Sequence, residues 1–420
     1  MGAGGVGVGN LPDGRVVFVP RTAPGDLARV SMTREKKRFA WGRLEELLEA
    51  SPERKTPPCP LYHRCGGCAL QHLPYPVQLS WKGTVVGDAL RRIGKLALED
   101  PKVEPSPREF GYRNKISFTL RRLRGEGVVA GFHELEQPGR ILDVGEECLL
   151  PMQGLGEMWC RLRAAWGPGA TRLPRGRELR LTLRGEGEQG SLVIQGGGGD
   201  GDPGQLLARV PGLTSIWRQE EKSGIRHLAG APTLQLTWLE EGLEVAGDAF
   251  LQVNPEAGQL LHGHVLSRAR ESDPRFVVEG YCGMGVLGKA LAREGRSVVG
   301  IELEAQAAAE ARRDSPPGFR LVEGRVEDHL QDLPGADLLI LNPPRRGLGS
   351  EVPQQILELQ ADRIIYVSCD PATLARDLRR LEEGYRVQEV RAFDLFPQTG
   401  HVETVAVMKR GKGADGDEDR

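Results

Sequence analysis

A cysteine closes an apolar run in IIYVSCDPATLARDL (364–378), where Cys369 stands between a buried-strand pattern and a helix opened by Pro371. A thiol so placed leaves the sheet beside a helix N-terminus, a setting that lowers a thiol pKa and suits a nucleophile. Buried cysteines are more often small hydrophobes, and Cys282 and Cys160 are read that way. Further on, FDLFPQTGHVETV (393–405) carries His401 and Glu403. A glutamate inside an apolar strand is costly unless paired or employed, and a shielded carboxylate can take a proton. Thiol and carboxylate together point to covalent addition followed by proton removal.

A second group of soft ligands is CPLYHRCGGCALQ (59–71), with Cys59, Cys65 and Cys68. Metal sites usually want four ligands. His63 and His72 are near in sequence, while Cys148 and Cys160 are remote. Zinc would accept a histidine as the fourth, whereas a [4Fe–4S] cluster prefers four thiolates. A third group is VVEGYCGMGVLGKALA (277–292), which sets Gly280, Gly283 and Gly285 between a strand and a helix. Such a turn lets backbone approach a ligand and feeds a helix N-terminus. SVVGIE then ends in Glu302, placed to accept ribose hydroxyls, so an adenosine-containing cofactor is expected. LILNPPRRG (339–347) puts Asn342 at a strand tip that two prolines stop from continuing.

The elements that must hold these groups follow from pattern. At 420 residues the chain is long enough for two or three domains. Hydrophobic content of 39% with 27% charged residues is that of a soluble globular protein. No apolar run long enough for a membrane helix is present and no secretory pattern opens the chain, so a cytoplasmic protein without membrane contact is expected. In that reducing compartment the seven cysteines read as ligands or nucleophiles rather than disulfides. Net charge is −2, but TREKKRF (33–39) and REFGYRNKISFTLRRLR (108–124) are basic, as is the segment 161–184. GADGDEDR is an acidic tail.

Residues 1–52 alternate apolar and polar with DG and PGD turns, the pattern of a small β-barrel. From about 96 to 250, short strands such as KISFTLRRL and GSLVIQG read as a mainly antiparallel β domain. Beyond 255, apolar strands alternate with helical stretches, which argues for a parallel sheet covered on both faces. YRVQEVRAFD and VETVAVMKR have no helix between them and should pair as an antiparallel edge.

Taken together, N342PPRRG, I364IYVSCDPAT and F393DLFPQTGHVE resemble the RNA uracil-5-methyltransferases that use S-adenosylmethionine, in order and spacing. The resemblance covers nearly the whole chain. CPLYHRCGGCALQ resembles the iron–sulfur segment of the branch acting on 23S ribosomal RNA, and VGVGNLPDGRVVFVPRTAPGD resembles the TRAM domain, an OB-like RNA-binding barrel. The resemblance implies a Rossmann-like class I methyltransferase domain over 251–410, a central β domain with the cluster over 53–250, a TRAM barrel over 1–52 and a tail over 411–420. It implies Cys369 as nucleophile and Glu403 as general base. Gln252, Tyr281, Gly283, Gly285, Glu302 and Asn342 correspond to the S-adenosylmethionine pocket. Cys148 in DVGEECLLP corresponds to the fourth ligand of a [4Fe–4S] cluster with Cys59, Cys65 and Cys68; zinc with a histidine is the alternative.

The expected reaction is methylation of uridine C5 in structured RNA by a monomer, with 23S rRNA favoured and tRNA as the alternative. Asn342 replaces the family's usual Asp, which leaves RNA cytosine as a second target base. Asp370 replaces its usual Asn, with a charge that raises the thiol pKa. The TRAM-like segment begins without an evident first strand. A catalytically silent RNA-binding protein is the reading from another class. RNA affinity is expected from segments 33–39 and 108–124, through Arg113 and Lys115, with Tyr112 or Phe118 either stacking on bases or filling the core.

Overall fold

The computed structural model describes residues 1–125, 127–220, 224–247 and 249–411. The acidic tail beyond Gly411 lies outside the described residues. The chain divides by packing into two interleaved units, one of residues 1–78, 107–256 and 396–400, the other of 79–106, 257–395 and 401–420.

The first unit begins with a four-stranded sheet in the order Val6–Asn10, Val16–Pro20, Phe39–Glu49, Leu27–Glu35. Period-two alternation buries Val17, Val19 and Ala40 against Val30, Met32 and Leu44. Among the described residues no ladder joins the two outer strands, so the sheet is open, and it is preceded by a 3-10 turn at Ala3–Gly5. A seven-stranded sheet follows, built on Lys115–Arg122, Glu178–Glu186 and Gln189–Gln195. It is antiparallel except where Gln189–Gln195 runs parallel to Leu213–Glu220. The helix Gln153–Ala165 covers it, with Trp159 stacked on Phe118 at 4.1 Å between ring centroids. The described strands of this region are thus mainly antiparallel, as the sequence pattern implies.

The second unit holds an eight-stranded sheet. Its order is Phe319–Glu323, Ser297–Glu302, Phe276–Gly280, Leu338–Leu341, Arg363–Ser368, Glu403–Arg410, Tyr385–Phe393, Val103–Glu104. The first five strands are parallel, and their near-continuous apolar character reflects burial on both faces. Glu403–Arg410 inserts antiparallel beside Arg363–Ser368 and pairs with Tyr385–Phe393, as expected from the missing crossover helix, but the short strand Val103–Glu104 and not this pair forms the sheet's edge. Strand order reverses between Phe276–Gly280 and Leu338–Leu341, and ligands of open α/β sheets bind at the carboxyl ends around such a reversal.

One departure from the sequence reading concerns residues 79–106. The 53–250 boundaries place them with the cysteine segment, yet they pack in the second unit. Val86 and Leu90 of the helix Tyr75–Arg92 join the core of Tyr366, Ala392 and Met408, and Lys82 forms an ion pair with Asp394 at 2.6 Å, both side chains fully buried. Asp394 repays the desolvation of that ammonium only while both charges are present.

Candidate active site

Each sequence-predicted group of the second unit stands at a strand terminus on one edge of the sheet. Tyr281 leaves Phe276–Gly280 with a left-handed φ of +60°, a conformation that costs a non-glycine residue free energy and clusters at functional sites. Gly283 and Gly285, at φ +56° and +72°, continue the turn into the helix Val286–Arg293. Glu302 ends its strand with one carboxylate oxygen accepting the Gly283 N–H at 2.8 Å and the other the Glu304 N–H at 2.7 Å. The acidic side chain and the glycine turn are thereby locked together. Beneath them Glu279 is buried, accepts the Gly288 N–H at 2.8 Å, and is pushed up to about pKa 8 by burial.

Asn342 follows Leu338–Leu341 and donates its backbone N–H to Gly280 O at 3.3 Å, which ties the two strand tips across the reversal. The loop behind it is clamped from the helix Pro371–Arg380. Asp377, fully buried, accepts from Tyr366 Oη and Leu348 N at 2.8 Å each, and Arg376 donates to Arg346 O at 2.8 Å. The sequence reading missed Asp377, although a lone acid among Leu374, Ala375 and Leu378 on a buried helix face was the available signal.

Cys369 and Glu403 are brought together by register. The antiparallel ladder pairs Arg363 with Lys409 and ends by pairing Ser368 with Thr404, so the next step sets Cys369 opposite Glu403. Because Glu403 opens an antiparallel strand, it lies at the edge where the parallel strands finish. Its side chain is 5% exposed and its pKa is pushed up to about 8 by burial, with Arg345 pulling the other way. The half-buried Cys369 thiol is also pushed up, first by burial and then by the Glu403 charge, while Arg345 opposes. This corrects the expectation of a thiol lowered by its helix N-terminus: desolvation and the facing carboxylate win. Asp370 has a local task, since its side chain caps Pro371–Arg380 by accepting Thr373 N–H at 2.8 Å. Asp and Asn are equivalent in that task. Its charge is the weakest of the influences on the thiol, after those of Glu403 and Arg345.

Gln252 is buried in a loop of the first unit, whereas Tyr281, Gly283, Gly285, Glu302 and Asn342 belong to the second. In the first unit Cys59, Cys65, Cys68 and Cys148 line one pocket of about 350 Å³, counted to its open mouth, with Leu61, Phe132 and Val144. All four are free thiols, and burial pushes Cys68 up to about 11 and Cys148 to about 12. Among the described residues no three His, Cys, Asp or Glu side chains converge as a single-ion site. Neither neighbouring histidine lines the pocket: His63 is exposed, and His72 turns its Nδ1 to Tyr62 Oη at 2.7 Å. Cys160 packs against the central core, as its sequence context suggests. No described helix is long and apolar enough to cross a membrane.

Residues 324–411 match the model of the tRNA (uracil-5-)-methyltransferase family. An RNA methyltransferase of Halalkalibacterium halodurans is 32% identical over 96% of this chain and 94% of its own length. One from Gloeobacter violaceus is 34% identical over 98% and 95%. The crystal structure of the Pyrococcus abyssi tRNA (uracil-54, C5)-methyltransferase in complex with S-adenosyl-L-homocysteine superposes with a TM-score of 0.74 at 26% identity, over 97% of this chain and 99% of that one. These similarities extend over both units and beyond the matched C-terminal segment. The chain belongs to the RNA uracil-5-methyltransferase family and is an S-adenosylmethionine-dependent RNA methyltransferase.

Proposed function

We propose that the protein methylates C5 of a uridine in 23S ribosomal RNA, with Cys369 as nucleophile and Glu403 as base. The observation that carries the reading is the register that faces these two residues at the carboxyl edge of the parallel sheet. Uracil C5 is too weak a nucleophile to attack a sulfonium methyl unaided. The Cys369 thiolate adds to C6, and the C5–C6 π pair becomes an enolate with density on C5. C5 takes the methyl group as the carbon–sulfur bond of the donor breaks, leaving S-adenosylhomocysteine. Glu403 then removes the C5 proton, the double bond re-forms and the thiolate departs. Arg345, whose charge reaches both residues, steadies the anionic forms. Within the second unit, Glu302 and the Tyr281–Gly285 turn hold the donor's ribose and adenosine, with Asn342 completing that side of the pocket.

The first-unit pocket is lined by four thiols, the donor set that a [4Fe–4S] cluster prefers. Cys59, Cys65, Cys68 and Cys148 would hold a [4Fe–4S] cluster there, which cross-links the cysteine segment to the central sheet without entering the methyl transfer. Together with the TRAM-like start, this segment supports ribosomal RNA as substrate. The Pyrococcus abyssi enzyme named above favours tRNA as the second reading. Mass mapping of RNA from cells with and without the protein decides. The expected outcome is one or more 5-methyluridines lost from 23S rRNA. Loss from tRNA alone retires the ribosomal target, and loss of 5-methylcytidine instead retires uridine.

The docking surface we propose lies on the N-terminal sheet. Tyr112 and Phe118 are each 1% exposed and fill the core, so neither stacks on RNA, and Arg113 stands beside Cys68 and Cys148. On the sheet's other face Val8, Phe18, Trp41 and Arg34 form a row across all four strands. Phe39 lies 4.9 Å from Trp41 between ring centroids, and Arg34 covers the Trp41 ring at 5.0 Å. Arg15, Arg29 and Arg43 of this sheet have carboxylate partners, whereas Arg34, Lys36, Lys37 and Arg38 make no ion pair among the described residues. Half-exposed rings ringed by uncompensated cations suit unpaired RNA. Replacing Lys36 and Lys37 together by glutamine should lower the slope of log affinity against log salt by roughly 1.4 for single-stranded RNA. An unchanged slope places the contacts elsewhere.

A further inference from the structure

An apolar pocket walled by cysteines is a costly place to bury positive charge, yet two guanidiniums stand beside it. Arg21 is 8% exposed and has no carboxylate partner among the described residues. Its Nη2 donates to Cys65 O at 2.7 Å and to Cys68 O at 3.2 Å, and its plane lies 3.7 Å above the Tyr62 ring. Its Nε and Nη1 are buried without a hydrogen-bond partner among the described residues. Electrostatically it faces Cys59, Cys65 and Cys68, while Arg113 faces Cys68 and Cys148. Arg113 makes no ion pair among the described residues either, its Nε reaching only Tyr112 Oη at 3.4 Å. Surface arginines of this chain, by contrast, usually find acids, as Arg64 finds Glu134 and Arg163 finds Asp143.

Unsatisfied buried N–H groups beside four thiols make sense once the pocket carries negative charge. Four thiolates around a [4Fe–4S] core form a net dianion, which becomes a trianion on reduction by one electron. Hydrogen bonds and fixed charge near such a centre tune both its retention and its potential.

We propose that Arg21 and Arg113 are the compensating cations of the four-cysteine centre, holding its net negative charge within apolar walls and setting how readily it accepts an electron. The proposal rests on the cluster reading above. It gives the N-terminal segment a second task, because Arg21 both supplies charge and fixes the carbonyls on either side of the Gly66–Gly67 turn.

The test uses full-length protein purified without oxygen. Iron and sulfide are assayed first in the wild type. Arg21→Met, Arg113→Met and the corresponding lysine variants are then titrated with dithionite against redox mediators and separately challenged with an iron chelator. Each methionine variant is expected to shift the reduction equilibrium about tenfold toward the oxidised cluster, 59 mV for one electron, and to lose iron about tenfold faster. The lysine variants should stay near wild type. Unchanged potentials and iron loss in both methionine variants overturn the proposal. If Arg21→Met does not fold, Arg113→Met, which removes no bond to the cysteine loop, decides alone. Wild-type protein with zinc and no sulfide overturns the cluster reading and this proposal with it, while methyl transfer by the same preparation leaves the proposed reaction standing.

Discussion

Replacing Cys369 by alanine is expected to lower methyl transfer by more than about 10⁴-fold while RNA affinity changes by no more than about twofold. The thiol is only half-buried, so its loss is expected to remove chemistry and spare the fold. Without addition at C6, C5 keeps its low intrinsic nucleophilicity, and no other described side chain at this edge of the sheet offers a thiol: Cys282 is buried, with Sγ 3.8 Å from Gly283 O. The check is transfer of labelled methyl groups to RNA under single turnover, with filter binding for affinity. Full activity in the alanine variant would dismiss the covalent route, and full biological effect without activity would revive a binding role.

The second large effect belongs to Glu403. Glutamine keeps the shape and removes the base, so addition and methyl transfer proceed while release slows by about 10²–10⁴-fold. A methylated enzyme–RNA adduct that survives denaturing electrophoresis is therefore expected, and it should not form when Cys369 is also alanine. The pH dependence follows from burial. The carboxyl is pushed up to about 8, so the fraction present as base rises with pH toward that value. Release in the wild type should accelerate from pH 6 to about pH 8 and then level. In the glutamine variant that limb is absent. For stability the sign is opposite: between the ordinary carboxyl range and about pH 8 the native state keeps a proton that the unfolded chain has released, so Glu403 subtracts stability as pH rises through that window.

Much of the second unit was legible because parallel strands buried on both faces write themselves as continuous apolar runs. FVVEG, SVVGIE, LLIL and RIIYVS all became strands of one sheet, and each chemical group stands at a strand end. What periodicity could not tell was which core a buried face meets. The helix Tyr75–Arg92 shows an apolar stripe, but nothing local says that Val86 and Leu90 pack with residues near position 390. Period-two alternation did contain the fate of Phe118, which shares a face with the buried Ile116 and Leu120. The basic letters around it suggested RNA instead. Cys369 shows the remaining limit: a helix N-terminus is visible in sequence, whereas the burial that outweighs it, and the carboxylate that adds to that burial, come only with the folded sheet.

The Lys82–Asp394 pair has a consequence for how the chain is made. Its partners are 312 residues apart and both wholly buried. At a synthesis rate of about 5–20 residues per second, the ammonium and the apolar stripe beside it emerge roughly 15–60 s before their partners exist. During that interval the ribosome holds a helix whose buried face has nothing native to meet. Nascent chains of this protein should therefore depend on chaperone cover until the last two strands are released, and slow codons between the helix and those strands would lengthen the exposure.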